Sequence, residues 1–302
     1  MGQRSAIIRS LAIIRLGQLI CGLLLLLMLC TTAAAESSVW KAQKGSSIVY
    51  LGGTIHLLRQ ADYPLPPEFD KAFQAADLVL FETDIGLLND PAIQQQLLQK
   101  AMYSDGSTID KHLSARVYAE LSSYTAVNGI PLQQLSRFRP AMLMTVLTMT
   151  ELKKLGIIED GVDSHYFALA KKNHKPVKGL ETVAEQLEYL ISCADGHEDE
   201  FVSYSLKDLQ ETDGLLELLT AAWRKGDDAK IDRLMTVEMK TAAPYVYQKL
   251  LLDRNKNWLP LILAEQKPLK TLFVLVGVGH LVGPDGLVES LRKSGYQVTK
   301  VQ

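Results

Sequence analysis

Ser47-Ile48-Val49-Tyr50-Leu51-Gly52-Gly53-Thr54-Ile55-His56 and, near the other end of the chain, Leu272-Phe273-Val274-Leu275-Val276-Gly277-Val278-Gly279-His280 decide how this protein is read. Each starts as a β-branched and aromatic run, the pattern of a buried strand, and each ends in Gly-x-x-His. Glycine permits a tight turn and leaves room above a strand end, so the histidine projects into a crevice. In open α/β sheets, ligands bind beyond the carboxyl ends of the strands. The pair therefore predicts one site built from both ends of the chain. The structural alternative is two glycine-rich turns whose histidines merely cap or pack.

Working outward, strands are predicted at 48–51, with a hairpin partner at 39–41, then at 77–81, 175–178 and 272–276, with an edge strand at 297–301. Helix 68–76 lies between the strands at 48–51 and 77–81, and strand–helix–strand at this distance predicts a parallel pair with a right-handed crossover. Asp90 and Pro91 mark the cap and first position of a helix over 91–103. Helices follow at Ala115–Val127, 140–155 and Val162–Lys172, and Thr182-Val183-Ala184-Glu185 is a capping box that opens another. Periodicity predicts further helices at 206–224, 228–240 and 243–265, the last ended or kinked by Pro260. A final helix runs from Pro284 to Gly295. The expected fold class is α/β: a central mixed, mainly parallel sheet formed from the chain's two ends, flanked by helices, with a long helical insertion in the middle.

The strand at 77–81 runs into Glu82-Thr83-Asp84, and the strand at 175–178 into Gly179-Leu180-Glu181. Four strand ends thus direct His56, Glu82, Glu181 and His280 to one edge. Two imidazoles and one or two carboxylates form the ligand set of a divalent cation, with His₂Glu and an open water position typical of catalytic sites. Such an ion lowers the pKa of bound water and polarises a carbonyl, and a spare carboxylate serves as general base. Zn²⁺ is one candidate. Plain structural roles compete: Glu82 and Asp84 as solvated strand-end acids, Glu181 as an acid favoured by a helix dipole. Arg254 and Asn255, in Asp253-Arg254-Asn255, are candidates to bind substrate through a fork of donors and an amide, or else form a polar helix turn. His112, His165, His174 and His197 read as surface residues, His197 within an acidic loop.

Arg4, Arg9 and Arg15, the apolar core 19–29 and Ala33-Ala34-Ala35 form an export signal with cleavage expected after Ala35. Its core is too short for a comfortable span, and contact with a membrane is expected only if the segment stays uncleaved. Periplasmic or secreted localisation follows. Without residues 1–35 the chain has 29 basic residues (32 less three) against 34 acidic, a formal charge of −5. That balance, with no basic cluster interleaved with aromatics, excludes nucleic acid as a partner. Of three cysteines only Cys193 remains, so no internal disulfide can form, and Cys193 reads as a packed residue. About 267 residues at ordinary hydrophobicity suffice for a single domain over 36–302. No Gly-x-Ser-x-Gly, His-Glu-x-x-His, Gly-x-x-x-x-Gly-Lys or Gly-x-Gly-x-x-Gly is present.

Gly53-Thr54-Ile55-His56, Phe81-Glu82-Thr83-Asp84, Gly179-Leu180-Glu181-Thr182, Asp253-Arg254-Asn255 and Gly277-Val278-Gly279-His280-Leu281 resemble, in this order, the motifs of the TraB/GumN family, which includes the Tiki membrane metalloproteases. The resemblance spans the chain from about residue 38 to its end. It implies that His56, His280 and Glu82 take positions linked in the Tiki branch to metal-dependent peptide cleavage, with Mn²⁺ or Co²⁺ favoured. It also implies a fold like that of erythromycin-esterase and haem-binding ChaN-type proteins. Other members of the family act in pheromone shutdown. The expected function is an exported metal-dependent hydrolase, a peptidase acting on peptide or protein substrates, with Glu82 and Glu181 as catalytic carboxylates. The alternatives are a non-catalytic binder of peptide, pheromone or haem in the same crevice, and an esterase using paired His and Glu without metal.

Overall fold

The central sheet has six strands in the computed structural model, which describes residues 37–157 and 159–302. The export signal read at 1–35 lies outside the described residues. The strands are β1 (Val39–Lys44), β2 (Ser47–Thr54), β3 (Leu78–Phe81), β4 (Val177–Gly179), β5 (Thr271–Gly277) and β6 (Gln297–Lys300). Their spatial order is β4-β3-β5-β2-β1-β6, so β6 is an edge as expected. β4, β3, β5 and β2 run parallel, whereas β1 is antiparallel to both β2 and β6. A separate two-stranded ribbon pairs Leu57–Leu58 with Glu159–Asp160.

One sequence expectation is corrected. β2 and β3 are parallel but not neighbours, because β5, from the far end of the chain, lies between them. The physical reason is in β5 itself. Leu272 to Val276 is apolar at every position and buried on both faces, which suits the centre of a parallel sheet covered on both sides.

Gly52 and Gly53 also act differently from the reading. They lie within β2, not in a turn, and serve close packing. A Cβ on Gly52 would sit 2.8 Å from the Leu275 and Phe273 side chains, and one on Gly53 would sit 2.7 Å from Val278. Absent side chains let β2 and β5 meet closely at their carboxyl ends.

Helices cover both faces of the sheet. Pro67–Ala75 buries Phe69, Ala72 and Phe73, the predicted apolar face. Phe69 meets Tyr166, Trp223 and Phe273 at ring-centroid distances of 6.0, 5.6 and 6.5 Å. The Trp223 indole N–H donates to the Gly53 carbonyl at 2.6 Å, tying the middle of the chain to β2. A second apolar core lies among helices Ala115–Val127, Pro140–Lys154 and Glu198–Arg224 and includes Leu121, Leu147 and Leu206.

Cap signals were accurate. Asp90 accepts from the Ala92 N–H at 2.7 Å, and Thr182 and Glu185 complete a reciprocal box. Elsewhere the boundaries shift. Glu198–Arg224 begins eight residues before the predicted 206, since Glu198, Asp199 and Glu200 occupy its first turn, where the helix dipole favours acids. Pro260 sits inside helix Asp253–Ala264 without ending it, and the last helix is Leu287–Lys293, not starting at Pro284. Among the described residues no helix is long and apolar enough to cross a membrane.

Candidate active site

The β2–β5 register places Thr54 opposite Gly277, so both Gly-x-x-His segments leave the sheet side by side. Phe81, the last residue of β3, pairs with Leu275, and Glu82 therefore emerges on the other side of β5. The Gly277 N–H donates to Glu82 Oε1 at 2.7 Å. A Cβ on Gly277 would lie 3.3 Å from Glu82 Oε1, 3.7 Å from His280 Cδ2 and 3.7 Å from His56 Nε2. Three of the four strand-end residues thus surround one small space that glycine leaves open.

His280 is buried, and its tautomer follows from its neighbours. The Asn255 amide nitrogen donates to the carbonyls of His280 and Asp285, both at 3.1 Å, which fixes the amide's orientation. Asn255 Oδ1 must then accept from His280 Nδ1, at 2.8 Å. The lone pair of His280 is therefore on Nε2, 3.2 Å from an Arg254 Nη1 donor. Burial, with help from Arg254 and His56 and against Glu82, pushes the imidazole down to about 3, so it is neutral. The ring rests on Trp258, centroids 4.5 Å apart.

His56 is held from the opposite side. Its Nδ1 is 2.9 Å from Asp163 Oδ2, so this nitrogen carries the proton given to the carboxylate, and Nε2 faces the Gly277 space. Asp163 raises the imidazole pKa, burial opposes this, and Glu82 adds to the rise. Solvent screens the pair, because the His56 side chain is 65% exposed. Asp163 arrives through a tight backbone contact. The Val162 N–H donates to the Ile55 carbonyl at 3.0 Å. A Cβ on Gly161 would lie 2.2 Å from that same oxygen and 2.3 Å from the His56 carbonyl. Gly161→Ala is expected to push Asp163 away from His56 and to destabilise by about 1–3 kcal/mol. Denaturant melts read the cost, and a histidine NMR titration reads the lost pairing. An unchanged His56 titration would contradict this.

Arg254 joins the two carboxylates. Its Nη2 donates to Glu82 Oε2 and Glu181 Oε1, each at 2.6 Å, and its Nε to Glu181 Oε2 at 3.2 Å. Nη1 faces the Leu250 carbonyl at 3.3 Å as well as His280. Burial works against the charge of Glu82, but Arg254, then His280, His56 and the Gly277 N–H, hold its carboxyl well below the usual range. Glu181 shifts the other way, raised by burial against the pull of Arg254. Two nearby acids are driven apart in acidity by their surroundings.

The sequence nominated Arg254 and Asn255 to bind substrate; both are buried, and Arg254 also lines a cavity beside the site. The Arg254 fork is fully engaged by protein acceptors, and Asn255 locks His280. Glu181, nominated as catalytic, lies behind Arg254 and receives the Trp258 indole N–H at 3.1 Å. Asp84 caps the turn Ile85–Leu87 through the Gly86 N–H. His112 and His197 stack on Tyr103 and Tyr245, at other places in the chain. Asp163, Trp258 and Gln186, which donates to Glu82 Oε2 at 3.1 Å, were not singled out. The capping box did mark the helix carrying Gln186, Val183–Ser192, but nothing local marked Asp163.

In donor type the site suits a divalent cation: a neutral imidazole, a second imidazole backed by a carboxylate, and an ionised Glu82 around a space without a side chain. Their present spacing is open, with His280 Nε2 3.9 Å from Glu82 Oε1. Among the described residues no group of three or more His, Cys, Asp or Glu side chains is gathered as a metal cage. A cavity of about 430 Å³ is lined by His56, Glu82, Asp163 and Arg254 together with Ile85, Leu88, Leu187 and Leu190.

A mainly parallel sheet carrying His, Glu and Arg at its carboxyl edge, beside a cavity of ligand size, defines an α/β protein with a candidate ligand site at its strand ends. The chain belongs to the TraB/PrgY/gumN family, whose sequence profile matches residues 38–300. It is similar to the uncharacterized protein YbaP of Escherichia coli K12, 24% identical over 249 residues that cover 82% of this chain and 89% of the relative. The YbaP of Shigella flexneri matches with the same identity and coverage. A metalloprotease TIKI homolog of Nematostella vectensis is 23% identical over 327 aligned positions, covering 88% of this chain and 67% of that protein.

Proposed function

We propose that this protein is an exported metal-dependent hydrolase of peptide bonds, with His56, Glu82 and His280 holding the ion. The convergence of His56 Nε2, Glu82 Oε1 and His280 on the space beside Gly277 carries the reading. Family membership and the similarity to a metalloprotease homolog support it. Mn²⁺ or Co²⁺ is the favoured ion by resemblance, with Zn²⁺ next. A bound ion would polarise the scissile carbonyl and lower the pKa of a water. Asn255 keeps the His280 lone pair on Nε2, and Asp163 holds the Nδ1 proton of His56, so Nε2 is the nitrogen that would release its proton to an ion. Arg254 keeps Glu82 ionised. The arginines, leucine run and alanines of residues 1–35 support export, and 36–302 would act as one domain.

The His56–Asp163 pair favours one second reading, in which His56, held protonated by Asp163, gives its Nε2 proton to the leaving group as a general acid without any metal. One experiment tests both. A peptide library is digested with chelated protein and then with Mn²⁺, Co²⁺ or Zn²⁺ restored, beside His56→Ala and His280→Ala. Cleavage should require a cation and vanish in both variants, with circular dichroism unchanged for exposed His56. Activity that persists in chelator but disappears in Asp163→Asn would select the metal-free reading. Cleavage surviving both histidine substitutions removes the site altogether.

A further inference from the structure

The cavity points to the substrate. We infer that it is a subsite for one bulky apolar side chain next to the bond to be cut, and that it rejects carboxylates; the inference rests on the peptide-hydrolase reading. Its lining combines polar His56, Asp163 and Glu82 with apolar Ile85, Leu88, Leu187, Leu190 and Leu250. These apolar residues come from three separate segments: the turn after β3, helix Val183–Ser192 and the π-turn Gln248–Leu252. Leu88 is 39% exposed, and Ile85, Leu190 and Leu250 are only half-buried. Apolar surface is thus left uncovered beside the reactive groups, within a volume in the range of about 300–1,000 Å³ that suits small ligands. An aliphatic or aromatic side chain placed there leaves water without leaving any polar group unpaired.

Charge excludes the opposite class. Among the described lining residues Arg254 is the one Arg or Lys, and its donors face Glu82, Glu181, His280 and Leu250. Glu82 and Asp163 present negative charge to the same space, His56 is committed to Asp163 and Arg254 to the two glutamates, so an entering carboxylate would be desolvated without an uncommitted cation to meet it. An acidic side chain, or the terminal carboxylate of a peptide, is therefore disfavoured. The fitting substrate is an internal or amino-terminal segment carrying leucine, isoleucine, methionine or phenylalanine.

Binding and cleavage are measured together on the same probes, with the exported chain lacking residues 1–35. The probes are acetylated tripeptide amides with leucine, phenylalanine, alanine or glutamate in the centre, and the leucine peptide as free acid. Calorimetry should show leucine and phenylalanine amides binding at least about tenfold tighter than alanine. Glutamate and the free acid should bind no better than alanine. Leu190→Trp fills the wall and should erase the leucine advantage, and Leu88→Ser, at a position where folding costs little, should shrink it. The same preference without cleavage leaves this subsite standing and removes the hydrolase reading. Cleavage without preference, preference indifferent to Leu190→Trp, or no binding of any probe overturns the subsite.

Discussion

Arg254→Met is expected to lower stability by about 3–5 kcal/mol at pH 7, the cost of breaking a buried ion pair by removing one partner. Its side chain and those of Glu82 and Glu181 are only 9%, 11% and 5% exposed. With the guanidinium gone, two carboxylates face each other out of water. The burial that already opposes the charge of Glu82 is then no longer outweighed by its largest ally. One of the acids should take up a proton instead. The cost should accordingly shrink toward acid pH, and Arg254→Met/Glu181→Gln should recover part of it, a non-additivity that marks a direct contact. Arg254→Lys should fall between, because an ammonium cannot reproduce the fork that bridges both carboxylates. Urea melts of the wild type, these three variants and Glu181→Gln alone, at pH 7 and pH 5, read all of this. A loss under about 1 kcal/mol, independent of pH, would show that the triad does not hold the site together.

That triad marks where sequence ceases to inform. The strand ends were legible because their signal is local: an apolar run, then Gly-x-x-His, readable without knowing what lies alongside. Caps were legible for the same reason, as at Asp90 and Thr182. Strand order was not, because β5 enters between β2 and β3 although Thr271 lies 190 residues beyond Phe81 (271 less 81), and only its wholly apolar face hints at a central place. Arg254 looked like a ligand-binding arginine because a helix position does not reveal its tertiary partners. The acids at 198–200 looked like a loop because charge runs suit both solvent and a helix's first turn. Glycine was given the wrong duty in part: Gly52 and Gly53 create clearance within a strand, not a turn, and Gly161, to which the sequence reading gave no role, does the same beside His56.

Acid should expose the neutral state of His280. Its folded value is pushed from 6.5 down to about 3, so between those limits the unfolded chain binds a proton that the folded chain refuses. Stability then rises with pH through this window, and the contribution of neutral His280, complete above 6.5, is lost as pH falls toward 3. Glu82, depressed below its ordinary 4.5, acts in the same direction but only below 4.5. His56 is raised, so its contribution is complete below 6.5, is lost only as pH climbs through its folded value, and adds no slope between 4.5 and 6.5. Glu181, raised by burial, tilts this interval the other way, equally in wild type and variant, since it does not touch His280. Comparison with His280→Asn isolates the imidazole. In chelated protein, wild-type stability should fall by up to about 1.4 kcal/mol more per pH unit than that of the variant between pH 6.5 and 4.5. Over those two units this exceeds the effect of most single substitutions. Parallel stability curves would mean that the imidazole is protonated inside the fold, and a proton on Nε2 would leave it no lone pair to offer an ion.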